Sequence, residues 1–165
     1  PFRGLKEPQA PFMPLRAAHK TKAPGFAGGY LLMETTLASA IYIALTAFLI
    51  VWLSLKVIGY RHRLQVNLGD GDRDELRLAI AAQLNAIEYI PIALLLLVVL
   101  ELNGAPVVLI HAFGIALLTG RLLHAKAMLS DNLSLRVRGM QITLFTIIFL
   151  GIANLLWFAY GLFAI

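Results

Sequence analysis

Cysteine is absent from this 165-residue chain, and charged residues make up only 14% of it. The missing cysteine excludes disulfide bonds, thiolate metal sites and a cysteine nucleophile of the protein's own. The scarcity of charge excludes an ordinary soluble domain, in which about a quarter of the residues are charged. Hydrophobic residues fill 59% of the chain, and its mean hydropathy is +0.79. These values predict an integral membrane protein of one domain.

The positive charge of the chain is concentrated at its start. The formal net charge is +5, but residues 1–32 contain five lysines or arginines against one glutamate. After residue 32, nine basic residues oppose eight acidic ones. The remainder is therefore nearly neutral, and the sequence predicts contact with a lipid bilayer but no binding of nucleic acid.

Residues 1–32 also hold five of the seven prolines and no sustained apolar run. Such a composition cannot bury a core, so we predict a disordered or loosely held tail. Met33 directly precedes the first hydrophobic stretch. Either the native protein begins there and the tail is added or upstream-translated sequence, or the tail is native. The membrane domain is predicted over residues 33–165.

Four hydrophobic stretches are long enough to cross a bilayer as helices, which takes about 20 residues each. Asp72 or Asp74 is predicted to cap the second helix, and Pro106 to occupy the first position of the third, after an Asn-Gly turn. The predicted fold is all-α, an integral membrane four-helix bundle. In chain order the helices cover about residues 36–60, 72 or 74 to near 101–104, 107–128 and 140–160.

Basic residues in the connections indicate the orientation in the membrane. The first and third connections carry arginines, among them Arg61, Arg63 and Arg136, whereas the turn between the second and third helices has none. Positively charged loops remain on the cytoplasmic side. We therefore predict that both polar loops, and any site beside them, face the cytoplasm.

The second helix begins with an unusually polar segment, residues 83–91. At about 100° per residue, Asn85 and Glu88 share one face. Gln83 points about 140° away from Glu88, toward a different neighbour such as a second subunit. Charged groups at the centre of a membrane helix cost a few kcal/mol each, so something has to satisfy this segment.

The third helix supplies an arginine and a histidine at the same level. Arg121 and His124 are three positions apart and face the same way. Because a turn joins the two helices, they are antiparallel neighbours, and these side chains fall at a depth comparable to that of Asn85 and Glu88. We predict a site for a small, charged, polar ligand. His124 has no second histidine or carboxylate four positions away, so no metal site is predicted.

Structural roles compete with ligand binding for the same side chains. Glu88 and Arg121 can form an ion pair that holds two helices together. Asn85 and Gln83 can bond neighbouring helices, at about 1 kcal/mol each. His111 stands alone in an apolar run and is predicted to be a satisfied core or interface residue. The residues by themselves leave both interpretations open.

Residues 82–91, AQLNAIEYIP, resemble the helix-two signature of the MAPEG family, the membrane-associated proteins in eicosanoid and glutathione metabolism. Residues 120–124, GRLLH, are similar to the family's third-helix element, and residues 136–139, RVRG, to its basic segment before helix four. The resemblance covers about residues 36–160, and the small bacterial members are nearest in length and loop pattern. It therefore implies a bacterial inner membrane.

The resemblance implies a homotrimer that binds glutathione, as a co-substrate, between neighbouring subunits near the cytoplasmic face. The family's asparagine, glutamate and tyrosine contacts correspond here to Asn85, Glu88 and Tyr89, with Gln83 facing across from the adjacent subunit. Further implied ligand contacts are Arg61, which would anchor a carboxylate, and Arg121 and His124. A nearby arginine, Arg136 or else Arg138, would lower the pKa of the glutathione thiol, because a fixed cation stabilises the thiolate.

The chain departs from the family pattern beside this signature. Family members usually carry an arginine two positions before the glutamine, where this chain has Ala81. Arg77, one turn earlier, is the candidate replacement. The eicosanoid enzymes place tyrosines where this chain has His124 and Met128, which argues against leukotriene- or prostaglandin-type activity.

Two functional hypotheses follow from these patterns. The first is a glutathione transferase or peroxidase that acts on small lipophilic electrophiles. The second is a non-catalytic membrane protein of the same fold with a structural or partner-binding role. The complete Gln83, Asn85, Glu88 and Tyr89 set favours the first, and Ala81 favours the second.

Overall fold

The computed structural model describes the backbone of residues 26–163 and the side chains of residues 38–162. Within this range the chain forms four helices and no strand. Each helix is long and apolar enough to cross a membrane, which confirms the predicted all-α membrane bundle. The helices are α1 (Phe26–Leu64), α2 (Asp74–Leu102), α3 (Val107–Leu129) and α4 (Leu133–Phe163).

Two helices begin earlier than the sequence predicts. The first starts at Phe26, so residues 26–32, assigned to the tail, are helical; residues 1–25 lie outside the described part. The fourth starts at Leu133 instead of about residue 140. Asn132 caps it: its Oδ1 accepts a hydrogen bond from the Leu135 N–H at 3.0 Å. An asparagine in this position satisfies a free N–H group of the first turn and so fixes the start of the helix.

The residues that cap α2 and α3 at their starts differ by one position from those predicted. Gly104, with φ +83°, closes the α2–α3 turn, and its N–H bonds the Glu101 carbonyl at 2.9 Å. Pro106 lies just before α3 and not at its first position; its carbonyl accepts the N–H groups of Leu109 and Ile110. At the start of α2 the cap is Arg73 instead of Asp72 or Asp74.

The helices alternate in direction, which places the α1–α2 loop and the α3–α4 turn at one end of the bundle. We call this end, with residues 61–77 and 126–138, the basic end. The central helices are α2 and α3, because the described parts of α1 and α4 make no backbone approach within 8 Å. The face that α2 buries is rich in alanine: Ala79, Ala82, Ala86 and Ala93. Small residues let membrane helices approach closely.

Gly120 of α3 and Gly139 of α4 bring the backbones of these two helices into close contact. A Cβ added at Gly139 would lie 2.5 Å from the backbone nitrogen of His124 and 2.9 Å from the Gly120 carbonyl oxygen. Lipid tails are as apolar as leucine side chains, so close packing replaces the hydrophobic effect as the force between membrane helices. The two glycines thereby bring the basic start of α4 against α3.

Replacing Gly139 with alanine is expected to loosen this contact, since both atoms that it meets belong to the backbone. Overpacking of this kind lowers the free energy of unfolding by about 1–3 kcal/mol. Thermal unfolding in detergent, followed by circular dichroism, measures the loss.

Gly151→Ala is the matched control on the same helix, because nothing lies within 4 Å of its added Cβ. Alanine favours a helix over glycine by up to about 1 kcal/mol. The control should therefore be at least as stable as the wild type, and equal melting temperatures for the two variants would contradict the close contact.

Candidate functional site

Arg121 is the centre of the polar site. Its side chain is only 1% exposed. Its Nη2 donates a hydrogen bond to Asn85 Oδ1 at 2.7 Å, and its guanidinium carbon lies 5.7 Å from the centroid of the Tyr89 ring. Its Nε and Nη1 are buried without a hydrogen-bond partner among the described residues. The site thus holds a cation with free donors.

Glu88 and Arg121 lie at a comparable depth in the bundle. Glu88 and Arg121 each lie fourteen residues from the α2–α3 turn, since α2 ends at Leu102 and α3 begins at Val107. At 1.5 Å per residue this is roughly 21 Å into a hydrocarbon core of about 30 Å. The polar groups are therefore inside the membrane, nearer to its basic end.

The structural alternative, an ion pair between Glu88 and Arg121, is not formed in the described part of the chain. The ion pairs among the described residues are Arg63 with Glu75 and Arg77 with Asp74, all exposed. Asn85 and Tyr89, four positions apart, face α3 and take the guanidinium between them. Glu88 is turned by about 100° from Tyr89 and points out of the bundle.

The exposure of Glu88 has a consequence in lipid. It lies at the middle of the 29-residue helix α2 and is exposed on the surface of the single chain. A carboxylate at this depth normally faces protein, a ligand or water, because its exposure to hydrocarbon costs several kcal/mol. One chain alone does not provide that cover.

Gln83 bonds within the chain. Its Nε2 donates to Ser54 Oγ of α1 at 2.8 Å, and the Ser54 hydroxyl donates to the Ile50 carbonyl at 2.9 Å. The sequence predicts that Gln83 faces a different neighbour from Glu88. In one chain that neighbour is α1, so the bond by itself requires no second subunit.

His124 and Arg136 lie on the basic-end side of Arg121. His124, one turn along α3, is 5% exposed, and its Nδ1 is buried without a partner among the described residues. Arg136 is half-buried near the start of α4, and its Nη1 lies 3.7 Å from the Met128 sulfur, which is a weak acceptor. Arg138 is exposed. Of the two predicted catalytic arginines, Arg136 is therefore the one held against the bundle.

A separate cavity of about 450 Å³ lies at the basic end between α1, the α1–α2 loop and α2. Arg61, Arg77 and Ala81 line it together. The Nη1 of Arg61 is buried without a partner among the described residues. Arg77 is exposed and paired with Asp74. Ala81, where the chain lacks the family's usual arginine, thus lines the same cavity as Arg61 and Arg77, the two candidates for binding a ligand carboxylate.

The opposite end of the bundle holds a polar group that the sequence analysis missed. Glu101 is 1% exposed, and its Oε2 accepts the backbone N–H of Ser39 at 3.1 Å. Its position at the end of an apolar run suggested only a helix terminus. His111 is predicted to be a satisfied core or interface residue; it is half-buried, and the hydrogen bond between its Nδ1 and the Tyr42 hydroxyl at 2.9 Å confirms that it is satisfied.

Comparison with known proteins covers most of the described residues. A family model described as the MAPEG family matches residues 39–156. The inner membrane protein YecN of Escherichia coli (strain K12) is 38% identical over 122 residues, which make up 74% of this chain and 92% of that protein. The protein of the same name from a second strain, Escherichia coli O6:H1, gives the same values.

Asn85→Ala is expected to lower the free energy of unfolding by about 1.5–3 kcal/mol, the usual worth of a hydrogen bond to a charged group. The reason is that it removes the hydrogen-bond partner of a buried guanidinium. Unfolding in mixed detergent, followed by circular dichroism, measures the change.

The control is the same substitution in an Arg121→Met background, where Asn85 no longer has a guanidinium to bond. There the loss should fall to a few tenths of a kcal/mol, as in any double-mutant cycle that removes both partners. Equal losses in the two backgrounds would show that the bond contributes nothing.

Proposed function

The chain belongs to the MAPEG family, and on that premise we propose that it binds glutathione at the basic end and joins it to lipophilic electrophiles. It is a multi-pass protein of a bacterial inner membrane, with its basic end on the cytoplasmic side in this proposal. The observation that carries the proposal is the buried guanidinium of Arg121, which has two free donor groups and no carboxylate partner among the described residues.

The charges of glutathione complement this arrangement. The tripeptide carries two carboxylates, one ammonium group and a thiol. Arg121 and Arg61 each offer a buried, unpartnered guanidinium nitrogen to an anion. The exposed carboxylate of Glu88 offers an acceptor for the ammonium group. Bonds between charged partners are about twice as strong as neutral ones, which favours a small zwitterionic ligand over an apolar one.

The chemical step assigned to the site is thiol activation. Arg136 stabilises the thiolate, whose proton passes to water at the polar end of the membrane. The thiolate sulfur then forms a bond to an electrophilic carbon. In a substitution, the bond from that carbon to the leaving group breaks and the group departs with the electron pair; in an addition, the displaced electron pair takes up a proton from water. With a peroxide, two thiols instead give a disulfide while the peroxide is reduced to an alcohol and water. The second substrate arrives through the lipid.

We propose that the protein works as a homotrimer. The support is the position of Glu88, a carboxylate exposed on one chain at hydrocarbon depth. A neighbouring subunit with glutathione between the two chains would cover it and would place the ligand where the family resemblance implies. A monomer in lipid leaves this carboxylate facing acyl chains.

A non-catalytic role is the second candidate, and two observations favour it. Gln83 with Ser54, and Asn85 with Arg121, form bonds that close within one chain, as expected of polar residues that hold helices together. Ala81 also leaves out a cation that the family usually provides. In this case the family fold would have a structural or partner-binding role, and the protein would carry out no thiol chemistry.

Glutathione titration of the purified protein in detergent separates the two candidates. We expect saturable binding by calorimetry and the ultraviolet absorbance of a thiolate near pH 7. Arg136→Ala should abolish the thiolate signal while glutathione still binds. Arg138→Ala, an exposed site on the same helix, should leave the signal largely intact.

The exposed loop variant Arg73→Ala is the charge-matched control and should behave as the wild type. Absence of binding, or a bound thiol that stays protonated, would reject the catalytic role and leave the non-catalytic one. An unchanged thiolate signal in Arg136→Ala would reject the assignment of that residue alone.

Ala81→Arg is expected to tighten glutathione binding. The new guanidinium would enter the cavity lined by Arg61 and Arg77, and one further charged hydrogen bond contributes about 1.5–3 kcal/mol. The dissociation constant measured by calorimetry should fall by about ten-fold or more. Ala81→Met adds similar bulk without charge and should bring no gain; a gain equal to that of Ala81→Arg would contradict a carboxylate in this cavity.

A further inference from the structure

A groove between α1 and α3 lies outside the polar site. It consists of two adjoining cavities of about 460 and 340 Å³, which share Trp52 and Leu122 as lining residues. The inner cavity is apolar, with Phe48 and Leu118 in its wall. The outer cavity reaches Lys126 at the basic end. The groove therefore runs along the membrane normal from an apolar region to a charged one.

The length and depth of the groove match one leaflet. On α3 it extends from Leu118 to Leu129, which is roughly 16 Å at 1.5 Å per residue. This is about half of a hydrocarbon core of about 30 Å, counted from the middle of the membrane to the basic end. A membrane-spanning partner helix would need a groove twice as long, whereas a lipid acyl chain fits within one leaflet.

The outer end of the groove is positively charged. Lys126 lines it directly, and the ammonium nitrogen of Lys56 lies 5.6 Å from the centroid of the Trp52 ring. Neither lysine belongs to an ion pair of the described residues, which are Arg63 with Glu75 and Arg77 with Asp74. Both lysines therefore border the Trp52 side of the outer cavity, Lys126 as a lining residue and Lys56 through the Trp52 ring.

We propose that this groove is a binding site for an anionic phospholipid of the leaflet at the basic end. The headgroup phosphate lies between Lys56 and Lys126, and one acyl chain follows Phe48, Trp52, Leu118 and Leu122. Basic pockets between membrane helices on this side of a bilayer are suited to anionic headgroups, with about 1 kcal/mol of attraction, or roughly a five-fold affinity gain, for each lysine. The proposal does not depend on glutathione binding.

Quenching of Trp52 fluorescence by brominated lipid tests the proposal. The chain has two tryptophans, and Trp157 lines a cavity with Asn103 and Gly104 at the opposite end, so Trp157→Phe leaves Trp52 as the sole reporter. The protein is reconstituted in nanodiscs with increasing fractions of phosphatidylglycerol or phosphatidylcholine that carry bromine on the acyl chain. We expect the anionic lipid to quench at a several-fold lower fraction.

Charge-removing variants then locate the headgroup. Lys56→Gln and Lys126→Gln should each reduce the preference for the anionic lipid by about five-fold, and together they should abolish it. Arg73→Gln removes one charge from the exposed loop at the same end and should leave the preference unchanged. In the chain without lysine substitutions, raised salt should also weaken the preference, which keeps the test valid if a variant fails to fold.

Three outcomes would overturn the proposal. Equal quenching by the two lipids would reject headgroup recognition. A loss in Arg73→Gln as large as that in the lysine variants would show only general attraction to a negative surface. Resistance of Trp52 to both brominated lipids, together with crosslinking between copies at Leu122→Cys, would show that a second copy of the chain covers the groove.

Discussion

A guanidinium inside the membrane constrains the rest of this bundle. Arg121 is 1% exposed. It donates a hydrogen bond to Asn85 and lies against the ring of Tyr89. Both come from α2, so they fix the rotation and register of α2 against α3. At the neighbouring residue Gly120, α3 is held in close contact with α4. Arrangements that leave this cation in hydrocarbon cost several kcal/mol.

The second constraint is the division of α2 into two faces. Alanines and the pair formed by Asn85 and Tyr89 face the bundle, whereas Glu88 faces outward at the same depth. On the inward face, Asn85 is hydrogen-bonded within the chain, and farther along the helix the buried Glu101 has one oxygen bonded to Ser39 N–H and the other without a partner among the described residues. On the outward face, the Glu88 carboxylate requires cover because it lies at hydrocarbon depth. The same helix therefore stabilises the bundle through its inward face and exposes an uncovered carboxylate, that of Glu88, on its outward face.

The polar site and the α1–α3 groove lie at the same end but in different surroundings. Arg121, His124 and Arg136 are buried or half-buried between helices, whereas Lys56 and Lys126 are exposed at the level of the headgroups. Because the first group is buried, its free hydrogen-bond donors have no water to bond. It is therefore selective for a ligand that places acceptors within reach of them. Exposure makes the second group responsive to the charge of the membrane surface.

Local spacing along the chain predicts the four membrane helices, the tight Asn-Gly turn and the common depth of Glu88 and Arg121, because these depend on hydrophobic length and helical rise. The family signature is likewise read directly from consecutive residues. The partners of the polar side chains depend on packing: Arg121 bonds Asn85 and not Glu88, and Gln83 bonds Ser54. A helical repeat assigns a side chain to a face, but the rotation of each neighbouring helix, set by contacts such as Gly120 with Gly139, decides what that face meets.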